Sequence, residues 1–290
     1  MTQRPETRND YHVRINKVLE FINAHLEESP ELEKLASIAN FSAFHFHRIM
    51  RAYLGEPLSS FIQRLRLDKA ANLLINTKLP IQDISWMVGY DTPASLTRAF
   101  KKRFGVSPAN FRNEIVFQTQ ALQFVQINKS EKIMKIKPKF KKRKEKRVIY
   151  VMSIGPYDSA GTAKAWEKVS AFASEKKLWG FGTEFIGISY DDPHITEEEK
   201  LRYEACITVS KDVRPEGEIG VKTIEGGNYA VFRHLGPYEK LNETCDYIYR
   251  QWLPESGKTL RDIPCFEKYL NSPGKTPPEK LKTDIYIPLV

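Results

Sequence analysis

Apolar residues recur with helical spacing through the first 112 residues. The intervals i, i+3, i+4 and i+7 mark one buried face of an α-helix. Six groups of apolar residues match these intervals in whole or in part, and they start at Ile15, Leu32, Phe46, Leu67, Ile81 and Leu96. Glycine and proline residues separate these groups and mark turns. The pattern predicts a bundle of about seven short helices.

Two parts of this bundle share one layout of a helix, a tight turn and a second helix. Ser42 and Thr92 directly precede the second helix of each pair. A serine or threonine at that position accepts a hydrogen bond from the first helical turn. This layout is that of a helix-turn-helix unit. The four helices are expected over residues 32–39, 43–54, 81–88 and 93–104.

The second helix of each pair carries a polar stripe opposite its apolar face. Each stripe mixes cations with small or aromatic groups, which suits a DNA major groove, where arginine pairs with guanine and apolar atoms meet thymine methyl groups. A solvated helix face could look similar, but two such stripes in one basic region favour DNA. The stripes are Phe44, His47, Arg48 and Arg51, then Ala94, Thr97, Arg98 and Lys101.

Residues 89–112 (GYDTPASLTRAFKKRFGVSPANFR) resemble the signature of the AraC/XylS family of transcription regulators, and the likeness extends over residues 10–112. The resemblance implies two helix-turn-helix subdomains, joined by a long helix, that read double-stranded DNA as a monomer or weak dimer. RNA polymerase is a further candidate partner. Relatives often have polar residues where this chain has Pro93-Ala94, which cannot read bases by hydrogen bonding. The first subdomain is therefore expected to discriminate more. By motif position, the implied base contacts are Phe44, His47, Arg48, Pro93, Thr97 and Arg98.

After residue 147 the helical spacing gives way to short strand-like runs. Two of them, 148–154 and 229–235, each enter a Gly-Pro-Tyr-acidic turn, and the second turn comes 81 residues after the first. Helices are expected after the turns, over 160–177 and 239–253. Because the unit is duplicated, we expect an α+β domain with one antiparallel sheet and helices on one face. Further strand candidates are 185–190, 203–209, 221–224 and 283–289.

The charge is divided unevenly along the chain. The net charge of +9 comprises +5 in residues 1–112, −1 in residues 113–131, +9 in residues 132–147 and −4 in residues 148–290. Such asymmetry favours a polyanionic partner for one half only. The lysine-rich run is interpreted as a solvated linker, kept extended by its charges, with a secondary role in attracting phosphates. The predicted domains are 1–112, a basic linker 113–147, and 148–290.

The second half resembles the GyrI-like effector domain, with an SHS2-type duplicated fold. The likeness rests on the repeat, on 201–209 (LRYEACITV), on 264–273 (PCFEKYLNSP) and on 283–289 (TDIYIPL). The whole chain is thus similar to a Rob-type regulator, which implies a small lipophilic or cationic effector.

A site for a lipophilic cation needs aromatic faces and a carboxylate that is partly removed from water. Glu267 occupies the position of the family's ligand-binding glutamate. Glu204 is a second candidate. On its strand the alternate residues Ala205, Ile207 and Val209 are expected to face the core, which would direct Glu204 into the groove. Most of the aromatic candidates would serve equally well to pack helix on sheet. These wall candidates are Trp166, Tyr157, Trp179, Phe266, Tyr229 and Tyr269.

Other classes of function find little support in the sequence. No metalloprotease, P-loop, nucleophile-elbow or dinucleotide motif is present, and the three cysteines have no CxxC spacing, so neither cofactor nor metal is predicted. The resemblance to GyrI-like domains also implies one enzyme alternative, the hydrolysis of strained electrophiles by Glu267 and a nearby tyrosine. Another alternative is a second half that binds a protein through an exposed apolar patch. With no apolar leader and no run of about 20 apolar residues, the chain is expected in the cytoplasm.

Overall fold

The chain folds into two units, Met1–Lys132 and Ile133–Val290. A computed structural model describes residues 5–114, 136–157 and 159–290, apart from the side chains of residues 5–9, 44 and 254. Within these ranges, no helix is long and apolar enough to cross a membrane.

The first unit is built from helices alone in its described part. The predicted apolar stripes form its core, since Val18, Phe46, Leu74 and Leu96 are at most 1% exposed. Residues 108–114 are also helical and are labelled α7. The other helices are α1 (Pro5–Ala24), α2 (Leu32–Ile38), α3 (Ala43–Leu54), α4 (Leu58–Asn76), α5 (Ile81–Met87) and α6 (Pro93–Phe104).

The second unit contains one eight-stranded sheet in which every strand pair is antiparallel. The strand order is β1-β6-β8-β7-β3-β4-β2-β5. Helix α9 (Leu241–Tyr247) continues through a π-helical turn, Ile248–Trp252, into α10 (Leu253–Ser256). The remaining elements are β1 (Lys139–Arg143), β2 (Lys146–Ile154), α8 (Ala160–Glu175), β3 (Phe185–Ser189), β4 (Arg202–Thr208), β5 (Gly220–Ile224), β6 (Gly227–Leu235), β7 (Phe266–Tyr269) and β8 (Lys282–Leu289).

The predicted duplication is confirmed and includes one strand more per repeat than expected. The first repeat is β1-β2-α8-β3-β4 and the second is β5-β6-α9-β7-β8. Strand β1 pairs with β6 and strand β5 pairs with β2. Each repeat therefore places its first strand beside the second strand of the other, and a pseudo-twofold axis passes between β3 and β7.

The interpretation of 113–147 as a linker is wrong for residues 139–147, because these form β1 and the start of β2. Five consecutive backbone pairings with β6 hold β1 in place. Successive strand residues point to opposite faces, which separates neighbouring cations and reduces the repulsion that the linker interpretation assumed. Residues 115–135 of the predicted linker lie outside the described residues.

The sheet is strongly curved, and its two faces have different surroundings. Arg143 ends β1 and Lys146 begins β2, so the link spans at most about 11 Å, although the two strands stand near opposite ends of the strand order. The two sheet edges must approach each other there. The inner face is consequently enclosed: Tyr150 and Tyr229 are each 1% exposed. The outer face packs against α8 and α9.

Candidate DNA interface and effector site

Helices α3 and α6 begin with the side-chain caps that the sequence predicts. Ser42 accepts a hydrogen bond from the backbone N–H of His45 at 3.4 Å, and Thr92 accepts one from Ser95 at 3.1 Å. Both helices end at a glycine in the left-handed conformation, Gly55 or Gly105. The caps fix where each helix begins and therefore which side chains stand in its first two turns.

The predicted DNA-reading stripe lies on the surface of both helices. His47, Arg48 and Arg51 of α3 are exposed, as are Arg98 and Lys101 of α6. Pro93 and Thr97 are half-buried, and the side chain of Phe44 lies outside the described part of the chain. The opposite side of each helix is anchored by fully buried residues such as Met50 and Phe100. Each helix thus presents its cations away from the core.

Arg66 of α4 ties the second helix-turn-helix to the rest of the unit, a role that periodicity alone did not reveal. Its guanidinium donates to the carbonyl oxygens of Leu26 at 2.9 Å and of Gly89 at 3.0 Å. It also donates to the carbonyl of Glu28. Gly89 has a φ of 74°, and a Cβ there would lie 2.7 Å from the Arg66 guanidinium. The turn between α5 and α6 therefore requires glycine so that this arginine can reach it.

A buried ion-pair network joins α4 to the C-terminal ends of α3 and α6, the second helices of the two helix-turn-helix units. Arg64 pairs with Glu56, just beyond the end of α3, at 2.8 Å, and Asp68 pairs with Arg103 of α6 at 2.9 Å. Arg64 and Asp68 are at most 5% exposed. Charges this deeply buried are tolerated only when paired. The long helix thereby sets the position of both helix-turn-helix units.

In the second unit, a directed chain of hydrogen bonds ends at the Glu267 carboxylate on the outer face of the sheet. Trp166 of α8 donates its indole N–H to Tyr203 Oη at 3.1 Å. The hydroxyls of Tyr203 and Tyr269 are 3.1 Å apart, and Tyr269 donates to Glu267 Oε2 at 2.5 Å. Because Tyr269 uses its proton on Glu267, Tyr203 must donate to Tyr269.

Gly187 leaves the space in which the two tyrosine hydroxyls meet. Gly187 and Glu267 are cross-strand partners on β3 and β7, beside the pseudo-twofold axis. They also occupy equivalent positions of the two repeats, since Gly187 pairs with Ala205 and Glu267 pairs with Ile285. A Cβ at residue 187 would lie 2.5 Å from Tyr203 Oη and 2.6 Å from Tyr269 Oη. The second repeat thus supplies the Glu267 carboxylate. At the equivalent position of the first repeat, Gly187 leaves space for the hydroxyls of Tyr203 and Tyr269.

The tyrosines of the two Gly-Pro-Tyr turns flank this chain on either side. The Tyr157 ring centroid is 6.1 Å from that of Tyr203, and the Tyr238 centroid is 5.1 Å from that of Tyr269. We call Glu267, Trp166, Tyr203, Tyr269, Tyr157 and Tyr238 the Glu267 cluster. All of its members except the buried Tyr203 are partly exposed, so a ligand can reach it.

Aromatic surroundings make ionisation of Glu267 costly. Burial raises the pKa of Glu267 above its usual value of 4.5, although hydrogen bonds from Tyr269 and Ser189 oppose the shift. Burial and the nearby Glu267 together raise the pKa of Tyr238 to about 12. Among the described residues no lysine or arginine forms an ion pair with Glu267. An ionised Glu267 therefore lacks a counter-charge within the described part of the chain, and aromatic faces surround the place where a cation would sit.

The structure brings together four of the eight effector-site residues expected from sequence: Glu267, Tyr269, Trp166 and Tyr157. Trp179 stands at the edge of the cluster, because its ring packs 5.8 Å from Phe185, which lies 6.1 Å from Trp166. Tyr203 and Tyr238 were not anticipated. The repeat could have indicated Tyr238, since it is the counterpart of Tyr157.

The other three expected residues, Glu204, Phe266 and Tyr229, face the enclosed inner side of the sheet and do not join the Glu267 cluster. Glu204 is 1% exposed, forms an ion pair with Lys222, and accepts a hydrogen bond from Tyr190 at 3.1 Å. Both faces of β4 are buried, so its apolar alternation did not indicate which face holds the ligand. Phe266 and Tyr229 pack together in the inner core.

Known proteins match both units of the chain. Residues 136–290 match the model of the GyrI-like small molecule binding domain, and residues 35–114 match a helix-turn-helix domain model. The "Probable transcriptional regulator YgiV" of Escherichia coli (strain K12) is 38% identical over 106 residues, which cover 36% of this chain and 66% of that protein, just under two thirds of its length. The "Probable transcription factor PqrA" of Proteus vulgaris is 32% identical over 100 residues, 34% of this chain and 82% of that protein. The crystal structure of the EcmrR C-terminal domain aligns with a TM-score of 0.47 at 22% identity, over 54% of this chain and 99% of that one.

Proposed function

The chain belongs to the GyrI-like small-molecule binding family and carries an AraC-type helix-turn-helix domain ahead of it, and we propose that it is a sequence-specific transcription regulator controlled by an effector. In this proposal the first unit binds an operator and the second unit binds a small lipophilic or cationic molecule at the Glu267 cluster. Two helix-turn-helix units in one chain permit binding as a monomer, with RNA polymerase as a further partner.

The observation that carries the effector proposal is the Glu267 carboxylate, which lies amid aromatic faces and has no counter-cation among the residues that the structure describes. A cation placed there gains attraction from the Glu267 carboxylate and from the rings of Trp166 and the flanking tyrosines, at about 0.5–2 kcal/mol for each cation–π contact. A neutral apolar ligand would gain the ring contacts only. We therefore expect the site to prefer lipophilic cations over neutral molecules of the same shape.

Titration of the full chain with tetraphenylphosphonium, followed by tryptophan fluorescence, tests this site. Glu267→Gln preserves the shape and the hydrogen bond from Tyr269 but removes the charge, so it should weaken binding at least tenfold. Glu255→Gln is the matched control, because Glu255 is an exposed carboxylate of α10 outside the Glu267 cluster. Equal effects of the two substitutions would refute the assignment of the cation site to Glu267.

Control of transcription requires unequal binding of the effector to the DNA-competent and DNA-incompetent states. The affinity for an operator duplex should therefore change when the Glu267 cluster is saturated, in either direction. Operator binding itself should weaken steeply with salt, because each phosphate contact releases counterions.

A second candidate function is hydrolysis of a strained electrophile in the same site. The short hydrogen bond between Tyr269 and Glu267, with the raised pKa of Glu267, is the arrangement of an acid–base pair. Multiple turnover of such a substrate, lost in Glu267→Gln and retained in Glu255→Gln, would support hydrolysis. Binding without turnover would support the regulator alone.

A further inference from the structure

A row of exposed lysines begins just before the edge strand β1, continues along it, and ends at the start of β2. We call Lys137, Lys139, Lys142, Lys144 and Lys146 the basic ridge. All five are exposed, and none of their side chains forms an ion pair or hydrogen bond with another described residue. The other cations of this segment are engaged: Arg143 pairs with Glu184 at 2.6 Å, Arg147 pairs with Asp212 at 2.5 Å, and the Lys141 ammonium lies 5.9 Å from the centroid of the Tyr286 ring.

The ridge contrasts in charge with the remainder of its unit. Residues 136–147 hold eight basic side chains and one acidic side chain, whereas residues 148–290 hold 18 basic and 22 acidic ones. The positive charge of the second unit is therefore concentrated on one strip. A strip of unneutralised ammonium groups is complementary to a partner that carries closely spaced negative charges.

Protection of a sheet edge accounts for only part of the ridge. Lysines on an edge strand discourage pairing with other molecules, and this explains Lys139 and Lys142 of β1. Lys146 lies at the start of β2, where β5 pairs with it but the pairing with β4 has not yet begun. Lys137 and Lys144 lie outside the strands altogether. Two of the five lysines therefore stand where no strand edge needs protection.

We propose that the basic ridge is a second DNA-binding surface, which holds the phosphate backbone of the duplex that the helix-turn-helix unit reads. This inference rests on the proposed function of the first unit as a DNA reader. Lys139 and Lys142 point to opposite faces of β1, so their ammonium groups flank this sheet edge from both sides. Lysine acts on a phosphate as a point charge, so the ridge contributes affinity and salt dependence without base preference.

The test compares the salt dependence of operator binding by the full chain and by two glutamine variants of equal net charge. The ridge variant replaces Lys139, Lys142, Lys144 and Lys146. The control variant replaces four exposed lysines elsewhere in the second unit: Lys164, Lys240, Lys275 and Lys280. Each phosphate contact contributes about 0.9 to the slope of log K against log salt concentration. The ridge variant should therefore lose about 2–3.6 units of slope, the control less than about 0.5, and both should keep the wild-type base preference.

Equal slopes for the two variants would overturn the ridge as a DNA surface while leaving operator binding by the first unit intact. Light scattering at the assay concentrations checks that the ridge variant has the same mass as the wild type. Self-association of that variant with an unchanged slope would assign its lysines to edge protection and refute DNA contact. A wild-type chain that binds no duplex would refute the proposed DNA reading and the ridge together.

Discussion

Replacing Gly187 by alanine tests the geometry of the Glu267 cluster with a single methyl group. The added Cβ would lie 2.5 Å from Tyr203 Oη and 2.6 Å from Tyr269 Oη, with the Tyr203 ring carbon Cε2 at 3.0 Å. The backbone of Gly187 is not in the left-handed region, so any cost is steric. Both tyrosine rings are held in place by neighbouring aromatic rings and cannot yield cheaply.

The magnitude follows from two contributions. Overpacking by one methyl group in a tight site costs about 1–3 kcal/mol. Displacement of the hydroxyls also weakens the bonds from Tyr203 to Tyr269 and from Tyr269 to Glu267, at about 0.5–1.5 kcal/mol each. We expect Gly187→Ala to lower the free energy of unfolding of the second unit by about 2–6 kcal/mol.

Urea denaturation followed by tryptophan fluorescence measures this, because Trp166, Trp179 and Trp252 report on the second unit and only Trp86 lies in the first. Gly180→Ala is the matched control: its Cβ would meet nothing within 4 Å and its backbone is unstrained, so its effect should stay within about 1 kcal/mol. Tyr203→Phe removes the nearest atom and should reduce the cost of Gly187→Ala. If Gly187→Ala were as stable as Gly180→Ala, the packing described here would be refuted.

Further predictions concern the carboxylate, the DNA-reading helix and the long helix. Because burial raises the pKa of Glu267, ionisation of this carboxyl opposes folding above the usual glutamate range. Glu267→Gln should therefore raise the free energy of unfolding at pH 7, by about 1.4 kcal/mol per unit of pKa shift removed, and the difference should vanish below pH 4. Affinity for a permanent cation should be full above that raised pKa and fall as pH drops through it, with no such fall in Glu267→Gln. Arg48→Ala should cost about 1–3 kcal/mol of operator binding and relax base preference at one position, whereas an equal loss on random DNA would contradict base reading. Arg66→Lys keeps the charge but loses the forked guanidinium that donates to the carbonyl oxygens of Leu26 and Gly89. The free energy of unfolding of the first unit, measured in urea, should fall by about 2 kcal/mol. An unchanged midpoint would contradict the structural role of Arg66.

Local periodicity predicts much of the fold, because burial of one helix face leaves a regular trace in the chain. The stripes that begin at Ile15, Phe46 and Leu96 became core residues. The repeated Gly-Pro-Tyr turn indicated the duplicated antiparallel sheet. Strand β1 left no such trace: four of its five residues are cations, and its pairing with β6 joins segments far apart in the chain.

The candidate site was predicted only in part, because alternation identifies a strand but not the surroundings of its two faces. All seven residues of β4 are buried, since α8 covers one face and the curled sheet encloses the other. Glu204 was therefore assigned to the effector site, while its neighbour Tyr203 holds that position. Gly187 carried no signal, because its role is to leave space for side chains from β4 and β7.

Coupling between the two units is the central claim, and operator affinity measured with and without a saturating lipophilic cation tests it most directly. The wild-type chain should show at least a fivefold change in operator Kd on saturation with tetraphenylphosphonium. Glu267→Gln should show no change at the same concentration, and Glu255→Gln should behave as wild type. A cation that binds at the Glu267 cluster yet leaves the operator Kd unchanged would contradict a regulator controlled through this site.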